Sequence, residues 1–500
     1  MSRKVQRVVV VGRDIAGWLT AYTLARAFGR TGVTIEVVEL PSMLRPIDVA
    51  PTLPNLRTLH RLLGFDDNAM IKACFGAPML GQRFSNWSRG APFVHAYDTQ
   101  GVALNRVEFL NYWVRARREG LNVALEDFSL GAAAAKQARL IVPNEETMRF
   151  SHAAPGYNVE AVAYALLMQL RAKKFGVIHT PGSVAAVDHE GDRIRSVRLA
   201  NGPTVEGDLF VDASGAEAVL MRDMPGDAFQ SWSHWFGVDR ILAASGPRLT
   251  PIPGFSEISA FRAGWLGLYP LQQRTGVIAA FDSKEMSERE MVEDLPALSG
   301  VNLKGDALVA PFSPGARARP WIGNCVALGE AAATFEPLDC APMQALQVGL
   351  SHLAALFPAD ADEMAESAIF NANMEAWNGR LRDFQLAHYK LNGRRGDPFW
   401  DRARAMSVSD ALDYKIKLFE ARGVVALYDH ESFQDENWIS IFVGHGLMPR
   451  DYDPIADTMP PEEQIENFRQ MLSFVAAEVQ DMPSLEAHLE LHAPSSAVGQ

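Results

Sequence analysis

An apolar run, Val8-Val9-Val10-Val11, leads straight into Gly12-Arg13-Asp14-Ile15-Ala16-Gly17-Trp18, and this junction limits the fold more than any other part of the chain. A short, continuous β-branched run is the pattern of a strand buried on both faces. From Ile15 to Phe28 the apolar spacing turns helical, with Ile15, Trp18, Leu19, Tyr22 and Ala25 on one face. A second strand, Thr34 to Val38, follows and ends at Glu39. Strand, glycine turn, helix, strand and acid in that order predict a βαβ dinucleotide-binding unit. Such a turn reads Gly-x-Gly-x-x-Gly. Its first glycine permits the tight turn, its second lets backbone approach a pyrophosphate at the helix N-terminus, and its third lets helix pack on strand. Gly12 and Gly17 are kept, and the middle glycine is Asp14.

Glu39, about 20 residues beyond the glycines, stands where a ribose hydroxyl is bound; the bland reading is a strand-end surface acid. The charge at Asp14 has a calculable effect. A unit charge ~5 Å from a phosphate costs about 3 kcal/mol at an effective dielectric of 20. Arg13 beside it offers to neutralise the carboxylate or to reach the phosphate.

Two further fragments complete the picture. A meander runs from Ser183 through turns at Gly191-Asp192 and Asn201-Gly202 to the strand Asp208-Leu209-Phe210-Val211-Asp212-Ala213-Ser214-Gly215. Cys325-Val326-Ala327-Leu328-Gly329-Glu330 is a buried strand entering a turn, and Pro342 to Phe357 is an apolar helix with proline in its first turn. Glu330 lies where flavoproteins place an acid near the ribityl and pyrophosphate groups, or it is a solvated acid at a helix start. The nucleotide domain is therefore split over residues 1–50, 155–215 and 320–360, with 51–154 and 216–319 as inserted covering segments. Helical periodicity is expected over Asn158–Lys174, Ala368–His388, Val408–Ala421 and Glu462–Gln480, so 361–500 reads as a largely helical C-terminal lobe. Arg115 to Arg118 reads as a solvated helix face, and Gly131 to Ala138 as a surface helix or loop.

Composition narrows the setting. A net charge of -13, with no basic cluster, argues against a nucleic-acid surface. Cys74, Cys325 and Cys340 give neither a disulfide framework nor a zinc pattern, and the histidines lack metal-ligand spacing, so no metal site is expected. No signal-peptide layout and no membrane-length apolar run are apparent, which suits a cytoplasmic protein in a reducing compartment. The oligomeric state is open, a homodimer included.

Together these segments resemble the flavin-dependent tryptophan halogenases over almost the whole chain. The resemblance rests on Ala16-Gly17-Trp18, Phe84-Ser85-Asn86-Trp87, Asp208 to Gly215, Gly323-Asn324-Cys325-Val326, Phe335-Glu336-Pro337-Leu338, Asp397-Pro398-Phe399-Trp400 and Ile441 to Pro449. It implies an α/β fold: a Rossmann-like, flavin-monooxygenase-type FAD domain with a helical substrate lobe. It implies FAD, reduced flavin from a separate reductase, and an aromatic small-molecule substrate. In the family, oxygen forms a flavin hydroperoxide, halide attacks it, and the hypohalous acid travels to a lysine beside the substrate, assisted by an acid.

This sequence departs from that pattern. The lysine position is Met79, whose thioether cannot hold an electrophilic halogen as an amine does and is itself oxidisable. Arg83 lies roughly 13 Å further along a strand. The assisting acid falls on Asp339, and the alternative for Asp339 is a helix N-cap before Pro342. The family's Ser-Thr-Gly halide segment is Cys340-Ala341-Pro342, and proline has no N–H to offer. Its Trp-x-Trp-x-Ile-Pro box reads Trp265-Leu266-Gly267-Leu268-Tyr269-Pro270, and its Gly-Val-Gly-Glu-Ala-Thr loop reads Ile47-Asp48-Val49-Ala50-Pro51-Thr52. His95 and Tyr97 match positions that sandwich an aromatic substrate, and Trp438 matches an aromatic patch before an expected Ile441-Phe442 strand; all three residue types are also common half-buried packing groups. Gly12, Arg13, Ile15, Ala16, Gly17, Glu39, Gly329 and Glu330 are the expected FAD contacts. Two outcomes are compatible with these residues. One is a flavoprotein oxidoreductase or monooxygenase that does not halogenate through a lysine. The other is a non-catalytic homologue, with FAD binding weak or lost, that serves as a ligand- or protein-binding module.

Overall fold

The computed structural model describes residues 3–141 and 144–491. The run Arg7–Gly12 (β1) is an interior strand of a six-stranded sheet, paired in parallel with Thr34–Glu39 (β2) on one side and Leu209–Ala213 on the other. Val8 to Val11 are fully buried, as a strand covered on both faces requires. The register sets Gly12 opposite both Glu39 and Ala213. That aligns the glycine turn, the acid and the Asp212-Ala213-Ser214-Gly215 segment at the carboxyl ends of the strands, where open α/β sheets bind ligands. Cys325–Ala327 and Ile178–Pro181 extend the sheet in parallel, so all three sequence fragments meet in it.

The covering segments form a sheet of their own. Its seven strands run in the order Leu308–Pro311, Arg240–Pro247, Arg274–Phe281, Gly264–Pro270, Ser256–Phe261, Gly81–Ser85, Phe93–Ala96, drawing on both inserted segments. The meander Val184–Glu190, Arg193–Leu199, Thr204–Glu206 is a separate antiparallel sheet, as its turns predict. Helices Glu366–Lys390, Asp410–Arg422, Asp435–Gly444 and Pro461–Asp481 pack into the same apolar core as β1.

Four local expectations change. The helix expected from Asn158 begins at Ala161; Gly156–Glu160 is a strand wedged between Val49–Pro51 and Ala77–Met79. Two flanking ladders, with the Asn158 amide donating to Ser256 and Pro270, outweigh the local helical spacing. Ile441-Phe442 is helical, because Trp438, Ile441 and Phe442 share a face at spacings of three and four. Arg115 is buried rather than solvated, its guanidinium donating to the carbonyls of Ala456 (2.8 Å) and Met459 (2.9 Å), while Arg117 and Arg118 are exposed. Leu130–Lys136 is a mostly buried helix, with Gly131 against Asp98.

Candidate functional site

The glycine turn is packed to contact. A Cβ on Gly12 would lie 2.8 Å from the Gly17 Cα, and one on Gly17 would lie 2.9 Å from the Gly12 carbonyl carbon, so each glycine is required by the other. Asp14 opens the helix Asp14–Phe28 (α1) at φ 54°, the left-handed region that glycine enters freely. Its carboxylate accepts from the Ser42 hydroxyl and the Met43 N–H (3.0 Å). Arg13 does not neutralise Asp14; it pairs with Glu217 at 2.7 Å. No side chain caps α1, and its first-turn amides have no intrahelical acceptor.

In front of that terminus lies a cavity of about 330 Å³ lined by Arg13, Ile15, Ala16, Gly215, Gly329 and Glu330. It shares Ile15, Met43, Glu330 and Pro342 with a second, largely apolar cavity of about 700 Å³ bounded by Ile47 to Pro51, Phe335 and Pro337. Their combined size and lining suit a dinucleotide with a flat tricyclic ring. Asp48 faces the larger cavity, and burial raises its carboxyl above the usual range. Glu39 lines neither cavity: it accepts from Trp18 Nε1 (2.9 Å) and Gln169 Nε2 (3.0 Å), with His179 Nε2 at 2.6 Å. The tryptophan of Ala16-Gly17-Trp18 thus ties α1 to the end of β2.

Beyond Pro337 the chain makes a strained turn. Asp339 (φ 54°) and Cys340 (φ 56°) are consecutive left-handed residues with side chains, a conformation costing about 1–3 kcal/mol each and found at functional sites. Asp339 is not the N-cap of Ala341–Ala355; Cys340 holds that position without a capping bond. The Asp339 carboxylate is 1% exposed, yet neither oxygen has a hydrogen-bond partner, and the nearest base is His388, Nε2 to Oδ2 3.4 Å. Cys340 Sγ lies 3.5 Å from Gln82 Nε2 and 3.8 Å from the Tyr97 hydroxyl, and burial pushes its thiol up to about 12.

The turn is braced from behind. Gln385 Nε2 donates to the carbonyls of Glu336 (3.1 Å) and Leu338 (2.8 Å), and Tyr269 donates to that of Pro337 (3.2 Å). Glu336 accepts from Trp265 Nε1 (2.8 Å) and the Tyr389 hydroxyl (2.7 Å), and burial pushes its carboxyl up to about 7. The altered tryptophan box is explained here: a Cβ on Gly267 would lie 2.6 Å from the Tyr269 ring. Tyr269 has taken the space beside residue 267.

His95 and Tyr97 come together with ring centroids 6.2 Å apart, and His95 Nε2 lies 3.1 Å from Asn437 Oδ1. Trp438 joins them through Phe384, which packs on both His95 (5.8 Å) and Trp438 (4.9 Å) and stacks on Phe433 (3.8 Å). The indole N–H of Trp438 donates to Glu431 (3.3 Å), and Lys415, paired with Glu431, sits 4.1 Å above its ring. Met79 is 2% exposed in the strand paired to Gly156, and Arg83 pairs with Glu257 at 2.7 Å. Sequence reasoning missed Gln82, Phe384, His388, Phe433 and His445. His445 lay inside the segment Ile441 to Pro449, Phe384 and His388 inside the helix expected over Ala368–His388, and Gln82 between Met79 and Arg83, but nothing local assigned these side chains a role. Among the described residues no side-chain group could hold a metal ion, and no helix is long and apolar enough to cross a membrane.

Comparison with known proteins agrees with this architecture. The tryptophan halogenase family model matches residues 7–461. The chain is 25% identical to tryptophan 7-halogenase RebH of Lentzea aerocolonigenes, over 92% of this chain and 93% of that one. It is 25% identical to tryptophan 6-halogenase ThaL of Streptomyces albogriseolus, over 90% and 91%. The solved structure of BrvH, a flavin-dependent halogenase from Brevundimonas sp. BAL3, superposes with a TM-score of 0.93 at 31% identity, covering 98% of this chain and all of that one. Xcc4156, a flavin-dependent halogenase from Xanthomonas campestris, gives 0.93 at 28%, covering 99% and 100%. With its split nucleotide fold and the strained acidic turn beside the cavity, this chain belongs to the tryptophan halogenase family.

Proposed function

We propose that the chain is a flavin-dependent enzyme that acts on an aromatic small molecule, uses reduced FAD delivered by a separate reductase, and does not transfer halogen through a lysine. One observation carries the reading: the two cavities at the α1 terminus share lining residues, and the larger is bounded by Pro337 and Pro342, which flank the turn holding the buried Asp339. The residues fit FAD. The Gly12 and Gly17 contact keeps the backbone tight, Arg13, Ile15 and Ala16 line the smaller cavity in front of α1 together with Gly329, and Glu330 lines both cavities. Glu39 is the ribose partner in this reading, reached by exchange of its bond to Gln169 or His179. When bound, reduced FAD would supply the oxygen-activating chemistry. The chain's own residues then divide the remaining work: His95, Tyr97 and Trp438 with Phe384 hold an aromatic ring, and Asp339 gives or takes a proton beside it.

Met79 supports oxygenation or oxidase chemistry over halogenation, since neither needs a primary amine. The alternative, a homologue that binds a ligand without catalysis, is favoured by the carboxylates of Asp14 and Asp48 on the cavity walls. Titration of FAD and reduced FAD, followed by flavin fluorescence and absorbance, separates the two. Saturable binding is expected; none at sub-millimolar FAD overturns the enzyme reading. Incubation with a flavin reductase, tryptophan or indole, and chloride or bromide is expected to give no halogenated product, and product formation refutes the reading of Met79.

A further inference from the structure

We propose that Asp339, His388 and His445 form a buried proton relay, with His445 as its outer member and Asp339 as its inner end. What the proton serves rests on the flavin-dependent reading; the relay itself is a property of this chain alone.

The three groups lie in a row. His388, fully buried in Glu366–Lys390, sets Nε2 3.4 Å from Asp339 Oδ2 and Nδ1 2.8 Å from His445 Nε2. The rings are held in place. His388 lies nearly parallel to Phe84 at 4.5 Å, and His445 meets Phe93 edge-on at 5.1 Å and Trp87 at 5.7 Å. His445 keeps 7% of its surface exposed, against 1% for Asp339 and none for His388, so the His445 end of the row lies nearest to solvent. Phe93, Val443 and Gly444, which contact or precede His445, line an open cleft of about 440 Å³ that also touches Trp113, Arg117 and Asp127. His445 Nδ1 is buried without a partner in the protein.

Tautomer logic fixes the direction. A carboxylate accepts, and His388 Nε2, 3.4 Å from Asp339 Oδ2 and without a hydrogen-bond partner at rest, is assigned its hydrogen on that ground. His388 Nδ1 is then the acceptor, His445 Nε2 is the donor, and His445 Nδ1 is left bare to receive a proton. A proton arriving at Nδ1 displaces the Nε2 proton of His445 onto His388 Nδ1, and the Nε2 proton of His388 passes to Asp339 Oδ2. One proton enters, one carboxyl O–H forms, no electrons move, and the reverse shifts return the proton. Phe84, Trp87 and Phe93 offer neither ring a charge; among the described residues His95, Tyr97, Cys340 and Glu336 surround the Asp339 end, with His95 also close to His388. Burial holds His445 well below its ordinary value, which favours passing a proton over storing one. His388 and His445 are thus positioning residues acting through Asp339.

The test uses the full chain labelled with 15N-histidine. Magnetic resonance is expected to show His388 and His445 both as Nε2–H tautomers, with or without FAD. His445→Gln can still donate to His388 but cannot relay, so exchange of the His388 Nε2 proton with solvent should slow by at least about tenfold. With any flavin-dependent turnover, kcat should fall by about 10–100-fold at unchanged KM, within the range of proton-transfer catalysis. A His445 Nδ1–H tautomer, or unchanged proton exchange in the folded variant, overturns the relay. Absence of saturable FAD binding would instead sink the flavin reading and leave the resonance result to decide the relay.

Discussion

Replacing Asp14 separates charge from geometry at the cofactor turn. The residue occupies φ 54° at the first position of α1, with its carboxylate held by the Ser42 hydroxyl and the Met43 N–H. A phosphate resting on the α1 amides would lie ~5 Å from that carboxylate, a repulsion of about 3 kcal/mol at an effective dielectric of 20, or roughly a hundredfold in affinity. The two donors already on the carboxylate reduce its field, so about 1–3 kcal/mol, or 10- to 100-fold, is the expected gain on removing it. Asp14→Asn tests charge alone, because asparagine tolerates left-handed backbone and still accepts from Met43. Asp14→Gly also relieves about 1 kcal/mol of backbone strain. It forfeits two part-exposed hydrogen bonds of about 1 kcal/mol each and a favourable helix-end charge of about 0.3–1 kcal/mol. Glycine should therefore tighten FAD binding while lowering stability by about 1–2 kcal/mol. Fluorescence titration of FAD at low and high salt, with denaturant melts of the same variants, measures both. Tightening should be larger at low salt, where screening is weak. If both variants bind FAD as the parent does at either salt concentration, the carboxylate does not oppose the phosphate and the argument fails.

Three further outcomes follow from the braced turn. Burial pushes Glu336 up to about 7, so its contribution to stability is present below the ordinary carboxylate range and is lost as pH rises through about 7. The total is roughly 3 kcal/mol. Glu336→Gln, which keeps an acceptor for Trp265 and Tyr389, should flatten the pH dependence of melting over that interval; equal slopes in parent and variant would refute it. Met79→Lys buries an ammonium at a site 2% exposed and should destabilise by several kcal/mol. If it folds with Cys340-Ala341-Pro342 also changed to Ser-Thr-Gly, it should yield brominated indole with a reductase and bromide; no product from that folded variant counts against the amine argument. Gly267→Ala should cost about 1–3 kcal/mol by driving a methyl into the Tyr269 ring, with part regained when Tyr269→Leu is added. Unchanged denaturant midpoints would show that the ring moves freely.

Legibility in the sequence tracked how local each signal was. Val8 to Val11, Gly12, Gly17 and Glu39 specify one another within a single βαβ unit, and the register set Gly12 opposite Glu39 as that unit requires. The helix boundary at Asn158 was misplaced because two distant strands, 49–51 and 77–79, decide it. Arg115 read as solvated because its acceptors, Ala456 and Met459, are hundreds of residues away. The site divides in the same way. Asp339, His95, Tyr97 and Trp438 were reached by matching short segments, while Phe384, His388 and His445 became visible only once the C-terminal helices closed over the turn. The left-handed pair at Asp339-Cys340 was not read from the sequence: aspartate enters positive φ more readily than most residues, but cysteine does not and no glycine marks the turn.

The departures from the family pattern are of two kinds. Asp14 fills a glycine's left-handed position, but Ser42 and Met43 take up its carboxylate and fasten the start of α1 to the 42–48 segment that walls both cavities. Gly267 gives up a large ring beside the turn, and Tyr269 moves into the space and donates to Pro337. Both are replacements whose consequences the neighbouring residues absorb, so the cavity and the strained turn persist. Met79 is different. The nearest guanidinium in sequence, Arg83, is tied to Glu257, the buried Lys415 is tied to Glu431 above Trp438, and Asp339 faces an imidazole instead of an amine. The packing changes are absorbed by their neighbours, whereas position 79 stays apolar and buried, and the proposed loss of lysine-mediated halogen transfer rests on that difference.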